Sequence, residues 1–180
     1  MKVKYSALWL ALVCIIVFVF QLIIGNDAFV LIETLKWTEP WRLVASIFAH
    51  GSAGHLLSNL FSLCLFGLVL EGRVGARRVL WLFFAAGLFA NVFTWYPRSL
   101  GASGAIFGLI GALCVLRPLM VIWLNGLPVP MILAGVAYLI QDTIGLFAPS
   151  GVANGAHIIG LFVGMGAGLL WRHEFGDRIG

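Results

Sequence analysis

The chain has 180 residues, 62% of them hydrophobic and 10% charged, with a formal net charge of +4 and a mean hydropathy of +1.05. A soluble domain is about half apolar and about a quarter charged, so this composition excludes one: no small core could hide so much apolar surface, and lipid must be the solvent. The basic residues form no run interleaved with aromatics, which argues against a nucleic-acid partner, and Cys14, Cys64 and Cys114 are too dispersed for a disulfide framework or a zinc motif.

The first predicted span, 5–24, is too long for the apolar region of a cleavable signal peptide and lacks a small-residue cleavage site. It reads as a retained membrane helix. The segment 27–47 follows as the only loop long enough to be structured, and Trp37, Trp41 and Phe48 suit an element resting at the membrane interface. Further spans are predicted at 54–70, 78–96, 103–117, 128–147 and 155–172. Several fall short of the ~20 residues of a perpendicular crossing. No internal repeat or low-complexity segment interrupts them. With the N-terminus inside, Lys2, Lys4, Arg73, Arg77, Arg78, Arg117, Arg172 and Arg178 face the cytoplasm, against Lys36, Arg42 and Arg98 outside. That bias selects an N-in, C-in orientation. The expected fold is an all-α membrane protein, a bundle of six transmembrane helices in one domain over 1–180, with no sheet.

Spans two, four and six run in the same direction, so depth can be counted upward from their cytoplasmic charges at 1.5 Å per residue. Ser103 lies fourteen residues before Arg117, about 21 Å up. His157 lies fifteen before Arg172, about 22 Å up, and Asn59 and His55 precede Glu71 by twelve and sixteen, about 18 and 24 Å up. In a hydrocarbon core of about 30 Å these four polar residues share one layer near the outer surface.

Each has a bland explanation when taken alone. Gly101, Ser103, Gly104 and Gly108 make a small-residue face suited to helix packing, Asn59 could be interhelical glue, and His157 a hydrogen-bonded buried histidine. Their common depth favours chemistry instead. A serine hydroxyl becomes a nucleophile when a histidine takes its proton, and Ser103 would open a helix whose free N–H groups favour negative charge. His55 and Asn59, four residues apart on one helical face, could donate to an oxyanion. No carboxylate is obviously placed to orient His157, so a dyad is expected, with Asp142 the only candidate third member. Gln141-Asp142 could otherwise cap the fifth span or meet water entering the site.

Other hydrolase types fit less well. The Gly101-Ala102-Ser103-Gly104-Ala105 run lacks the last glycine of a nucleophile elbow, and there is no H-E-x-x-H helix. An intramembrane aspartyl site would need a second aspartate beside Asp142. His50 and His55, five apart, do not share a helix face, which weakens a metal-pair reading. No metal or cofactor is implied.

Trp41-Arg42, "HGSAGHLLSN" (50–59), "GLVLEGRVG" (67–75), "GASG" (101–104) and "AHIIGLFVG" (156–164), in that order and spacing, resemble the rhomboid family of intramembrane serine proteases, in its compact six-span prokaryotic form. The resemblance implies hydrolysis of peptide bonds in or near transmembrane segments of membrane-protein substrates, in a prokaryotic inner membrane with the site toward the extracytoplasmic side. Ser103 would match the nucleophile and His157 the base, with His55, Asn59 and the Ser103 N–H matching the oxyanion hole. His50 falls in the matching block. Trp41, Arg42, Glu71, Gly160 and Gly164 would be structural, the two glycines packing span six on span four. The chain departs from many relatives at Phe107, where a tyrosine commonly stacks on the histidine.

Two alternatives stay open: a rhomboid-like pseudoenzyme that binds or escorts membrane clients, and a channel or transporter with a polar midplane site. The latter is disfavoured by small size and the lack of paired charges. Lateral arrival of substrates further predicts that span five and the 148–155 connection, with Pro149, Ser150 and Gly151, move as a gate.

Overall fold

The computed structural model describes residues 4–124, 126–148 and 151–175. Lys2, Arg178, Pro149 and Ser150, used above for charge bias and gating, lie outside the described residues. In chain order the elements are α1 (Ser6–Ile24), β1 (Leu31–Ile32), a 3₁₀ turn (Glu33–Leu35), α2 (Arg42–Phe48), α3 (Ala53–Val74), α4 (Ala76–Phe93) and β2 (Arg98–Ser99). After these come α5 (Ser103–Leu116), β3 (Val121–Leu124), β4 (Leu127–Pro130), α6 (Met131–Gly145) and α7 (Asn154–Phe175).

Among the described residues, α1, α3, α4 and α7 are long and apolar enough to cross a membrane, whereas α5 and α6 are apolar but shorter, at 14 and 15 residues. Outward-facing Trp9, Phe20, Ile23, Phe61, Trp81 and Leu170 are exposed, the pattern of helices solvated by lipid. This is an integral membrane protein.

The bundle is organised around α5, of which eleven of fourteen residues are buried. Its contact with α7 is backbone against backbone. A Cβ at Gly160 would overlap the Gly104 carbonyl oxygen, one at Gly164 the Gly108 carbonyl, and one at Gly111 the Leu161 carbonyl. On its other side, Gly104 and Gly108 admit Ala90 and Ala86 of α4. Small residues at this spacing let helices gain dispersion contacts that lipid cannot match. Around this seam Ile47, Leu63, Phe66, Phe83, Leu109 and Leu113 form the core.

The 27–47 segment is structured, as expected. Arg42 donates to the carbonyls of Val30 (2.9 Å) and Asp27 and to the Glu39 carboxylate, and Lys36 Nζ donates to the Val92 and Thr94 carbonyls at 3.2 Å each. Trp37 and Trp41 are exposed, but Phe48 is not interfacial: it is buried against Phe83 and Phe84, ring centroids 5.9 Å away in both cases. At the far end of α3, Glu71 accepts from Ser6 Oγ at 2.5 Å and from the amide of Ala7 at 3.4 Å. Residues near the start of α1, which has no side-chain cap at its Tyr5 boundary, thereby gain a carboxylate partner from another helix.

The expectation of no sheet is corrected. β1 and β2 pair antiparallel (Leu31↔Ser99, Ile32↔Arg98), tying the first loop to the strand that leads into α5. β3 and β4 form a hairpin, Val121↔Pro130 to Leu124↔Leu127, in a stretch read as connection and helix start. The physical reason is local: Asn125-Gly126 is a two-residue hairpin signal, Gly126 has φ +82°, and Pro128 and Pro130, lacking N–H groups, delay the helix to Met131.

Candidate active site

Gly101 has φ +128°, a conformation that only glycine adopts without strain, and its amide donates to the Ser46 carbonyl at 2.8 Å. A Cβ there would sit 2.8 Å from His55 Cε1, so the imidazole of His55 lies directly against this turn. The next helix begins at once, placing Ser103 at its first residue.

His157 comes from the first turn of α7, and its Nε2 is 2.7 Å from Ser103 Oγ. The glycine seam between α5 and α7 sets this separation, since the Gly104–Gly160 contact involves positions immediately following Ser103 and three after His157. Phe107 stacks on the His157 ring (centroids 4.3 Å, planes 10° apart), and Tyr138 of α6 packs edge-on against Phe107 at 5.5 Å. The imidazole is therefore held in its plane without a tyrosine at position 107.

The other ring nitrogen, Nδ1, lies 3.0 Å from Asp142 Oδ1. The sequence points to a dyad with Asp142 as the only candidate third member, and the structure brings that carboxylate to the histidine. Asp142 sits three residues before the last residue of α6, and His157 three after the first of α7, so on helices joined end to end they reach the same level. The span ends expected from the sequence, 147 and 155, put the two residues at unequal distances from the connection, so their common level emerges only from the observed helix ends.

His55 and Asn59 reach the same place from α3. Ser52, the N-cap, accepts from the His55 amide at 3.1 Å, fixing where the helix starts, and Asn59 Nδ2 donates to the His55 carbonyl at 3.0 Å. His50 precedes that helix. Its Nδ1 is 3.1 Å from the Phe48 carbonyl, and Gln21 of α1 brackets its backbone, accepting from the amide at 2.9 Å and donating to the carbonyl at 3.3 Å. Burial, and secondarily the neighbouring His55, pushes His50 down to about 4, so its ring is neutral. Although five residues apart and not on one helix face, His50 and His55 meet edge to face with centroids 5.1 Å apart, because the chain turns between them. Gln21, Ser52 and Tyr138 were not anticipated as supports.

Ser103, His157, His55, Asn59, Tyr138 and Asp142 line one cavity of about 800 Å³. Trp41, Arg42 and Glu71 do not reach it: the first two belong to the loop scaffold, with the Arg42 guanidinium 5.9 Å from the Trp41 ring, and Glu71 is bonded to the start of α1. Gly160 and Gly164 act at the α5–α7 seam. A hydroxyl within hydrogen-bond distance of an imidazole, at a helix N-terminus and beside a cavity, can act as a nucleophile with its base.

A rhomboid domain family model matches residues 37–174. RHOMBOID-like protein 4 of Arabidopsis thaliana is 31% identical over 150 residues, covering 80% of this chain and 38% of that protein. Rhomboid protease GluP of Bacillus subtilis (strain 168) is 35% identical over 152 residues, 78% of this chain and 29% of its own length. Rhomboid protease GlpG of Serratia proteamaculans (strain 568) is 30% identical over 169 residues, 84% of this chain and 57% of its own. The chain thus spans less than two thirds of the length of each of these relatives.

Proposed function

The chain belongs to the rhomboid family, and on that premise we propose that it is a serine endopeptidase that cleaves membrane-protein substrates in or near their transmembrane segments. The observation that carries this reading is the 2.7 Å approach of Ser103 Oγ to His157 Nε2 at the mouth of α5. His157 Nε2 takes the hydroxyl proton as Ser103 Oγ bonds to the scissile carbonyl carbon. The carbonyl oxygen becomes an oxyanion beside the Ser103 N–H, at the positive end of α5, with His55 and Asn59 as side-chain donors. The protonated His157 then gives its proton to the leaving amine, and water, activated by the same imidazole, hydrolyses the acyl-enzyme.

The accompanying topology is six membrane crossings, N-in and C-in, with α5 and α6 as the short ones. The site faces the extracytoplasmic side of a prokaryotic inner membrane, and substrates arrive through lipid. Cleavage of a transmembrane substrate by the purified protein in detergent micelles, beside Ser103→Ala and His157→Ala, tests the assignment. Cleavage by the parent and none by either variant supports it. A parent that binds the substrate without cutting it would instead be a client-binding pseudoenzyme.

A further inference from the structure

We propose that Asp142 is a positioning residue that fixes the tautomer of His157, and that it does so only while α6 is seated, so that competence for catalysis follows the docking of α6. This rests on reading Ser103 and His157 as nucleophile and base.

The Asp142 side chain is 4% exposed, and its Oδ1 faces His157 Nδ1 at 3.0 Å. A carboxylate is costly to take out of water unless paired, so such a group persists where it has a partner. Its place in α6 offers no local reason for it. It occupies the last turn, the end at which the helix dipole disfavours negative charge. What the position does supply is an acceptor for His157.

The consequence for proton transfer is specific. An ionised carboxylate only accepts, so Nδ1 carries the hydrogen and Nε2 presents its lone pair to the Ser103 hydroxyl. When the serine proton moves to Nε2 the ring becomes a cation, with Asp142 adjacent, and the same proton leaves with the departing amine. Phe107 holds the plane of the ring but cannot choose which nitrogen bears hydrogen. Without Asp142 the neutral imidazole divides between tautomers, and the Nε2–H form cannot act as base.

Asp142 is delivered by a helix with two close-approach points. Gly135 lets α6 rest on Cys114 of α5, where a Cβ would overlap the thiol sulfur, and Gly145 packs on the Asn154 side chain at the start of α7, where a Cβ would lie 2.5 Å away. Any tilt of α6 that admits a substrate carries Asp142 away from His157. The base is restored when the helix returns.

The test uses the full chain in detergent micelles with a transmembrane peptide substrate, together with ¹⁵N NMR of the His157 imidazole. Asp142→Asn, nearly isosteric, is expected to lower kcat by at least about 10²-fold with KM within about twofold and the melting temperature unchanged. Gly145→Val, which wedges α6 off α7 and leaves the carboxylate intact, is expected to lower kcat in the same way. In the parent the imidazole hydrogen resides on Nδ1, and in both variants it shifts toward Nε2. A kcat for Asp142→Asn within about twofold of the parent, or an unchanged tautomer, overturns the proposal. If Ser103→Ala retained cleavage, the nucleophile assignment would fail instead. The NMR comparison alone would then decide whether Asp142 sets the histidine.

Discussion

At Asn59 two roles compete within one amide. One Nδ2 hydrogen is used on the His55 carbonyl, which is a packing role within α3, while the side chain also lines the cavity beside Ser103. If the second hydrogen meets the oxyanion, the bond strengthens only as charge develops. Asn59→Ala then lowers kcat with little change in KM, by up to roughly 10²–10³-fold, and by less where His55 and the Ser103 N–H compensate. Steady-state kinetics beside a thermal melt decide between the roles. An unchanged kcat with a markedly lower melting temperature returns Asn59 to packing. Phe107 allows a second test. Removing the stacked ring in Phe107→Ala leaves His157 held only through its two ring nitrogens, and is expected to lower kcat by about 10–100-fold, whereas Phe107→Tyr keeps the clamp and the rate. At this scale the four polar residues were legible because 1.5 Å per residue is a reliable ruler. Asp142 was legible only as the one candidate third member, because a single acidic residue near a span end resembles an interface residue until its partner's level is known.

Among the elements, the α5–α7 seam carries the geometry. Gly160→Val must push the helix backbones apart at the Gly104 carbonyl, and is expected to cost about 3 kcal/mol or more, read as a lower melting temperature and lost activity. The same substitution at Gly166, where a Cβ meets nothing within 4 Å, is the control and is expected to be tolerated. The element expected to act as the gate is α6, which rests on α5, α7 and the β3–β4 hairpin. A disulfide crosslink bridging α6 to α3 across the cavity is expected to abolish cleavage of transmembrane substrates while a small fluorophosphonate still labels the serine. Undiminished substrate turnover in a fully crosslinked sample contradicts lateral entry. Helices were readable here because long apolar runs end at charges or at Pro and Gly. The hairpin was not, since in a chain this apolar the alternation that marks a strand is submerged, leaving only Asn125-Gly126 to signal it.

For the molecule as a whole, composition alone separated lipid from water as the solvent, and the structure agrees in its apolar exterior and in the glycine seam at its centre. What composition could not convey is the pairing of distant ends: Glu71 with the start of α1, Asp27 with Arg98, and β1 with β2. These are small local pairings between segments far apart in sequence, and no periodicity records them. They hold a scaffold in which a serine and a histidine 54 positions apart come within 2.7 Å. The most direct measurement of that convergence is covalent. The purified protein, treated with a fluorophosphonate and digested, should give one modified peptide carrying the adduct on Ser103, with labelling lost in Ser103→Ala and strongly slowed in His157→Ala. Labelling that persists in Ser103→Ala, or maps to another residue, would place the nucleophile elsewhere.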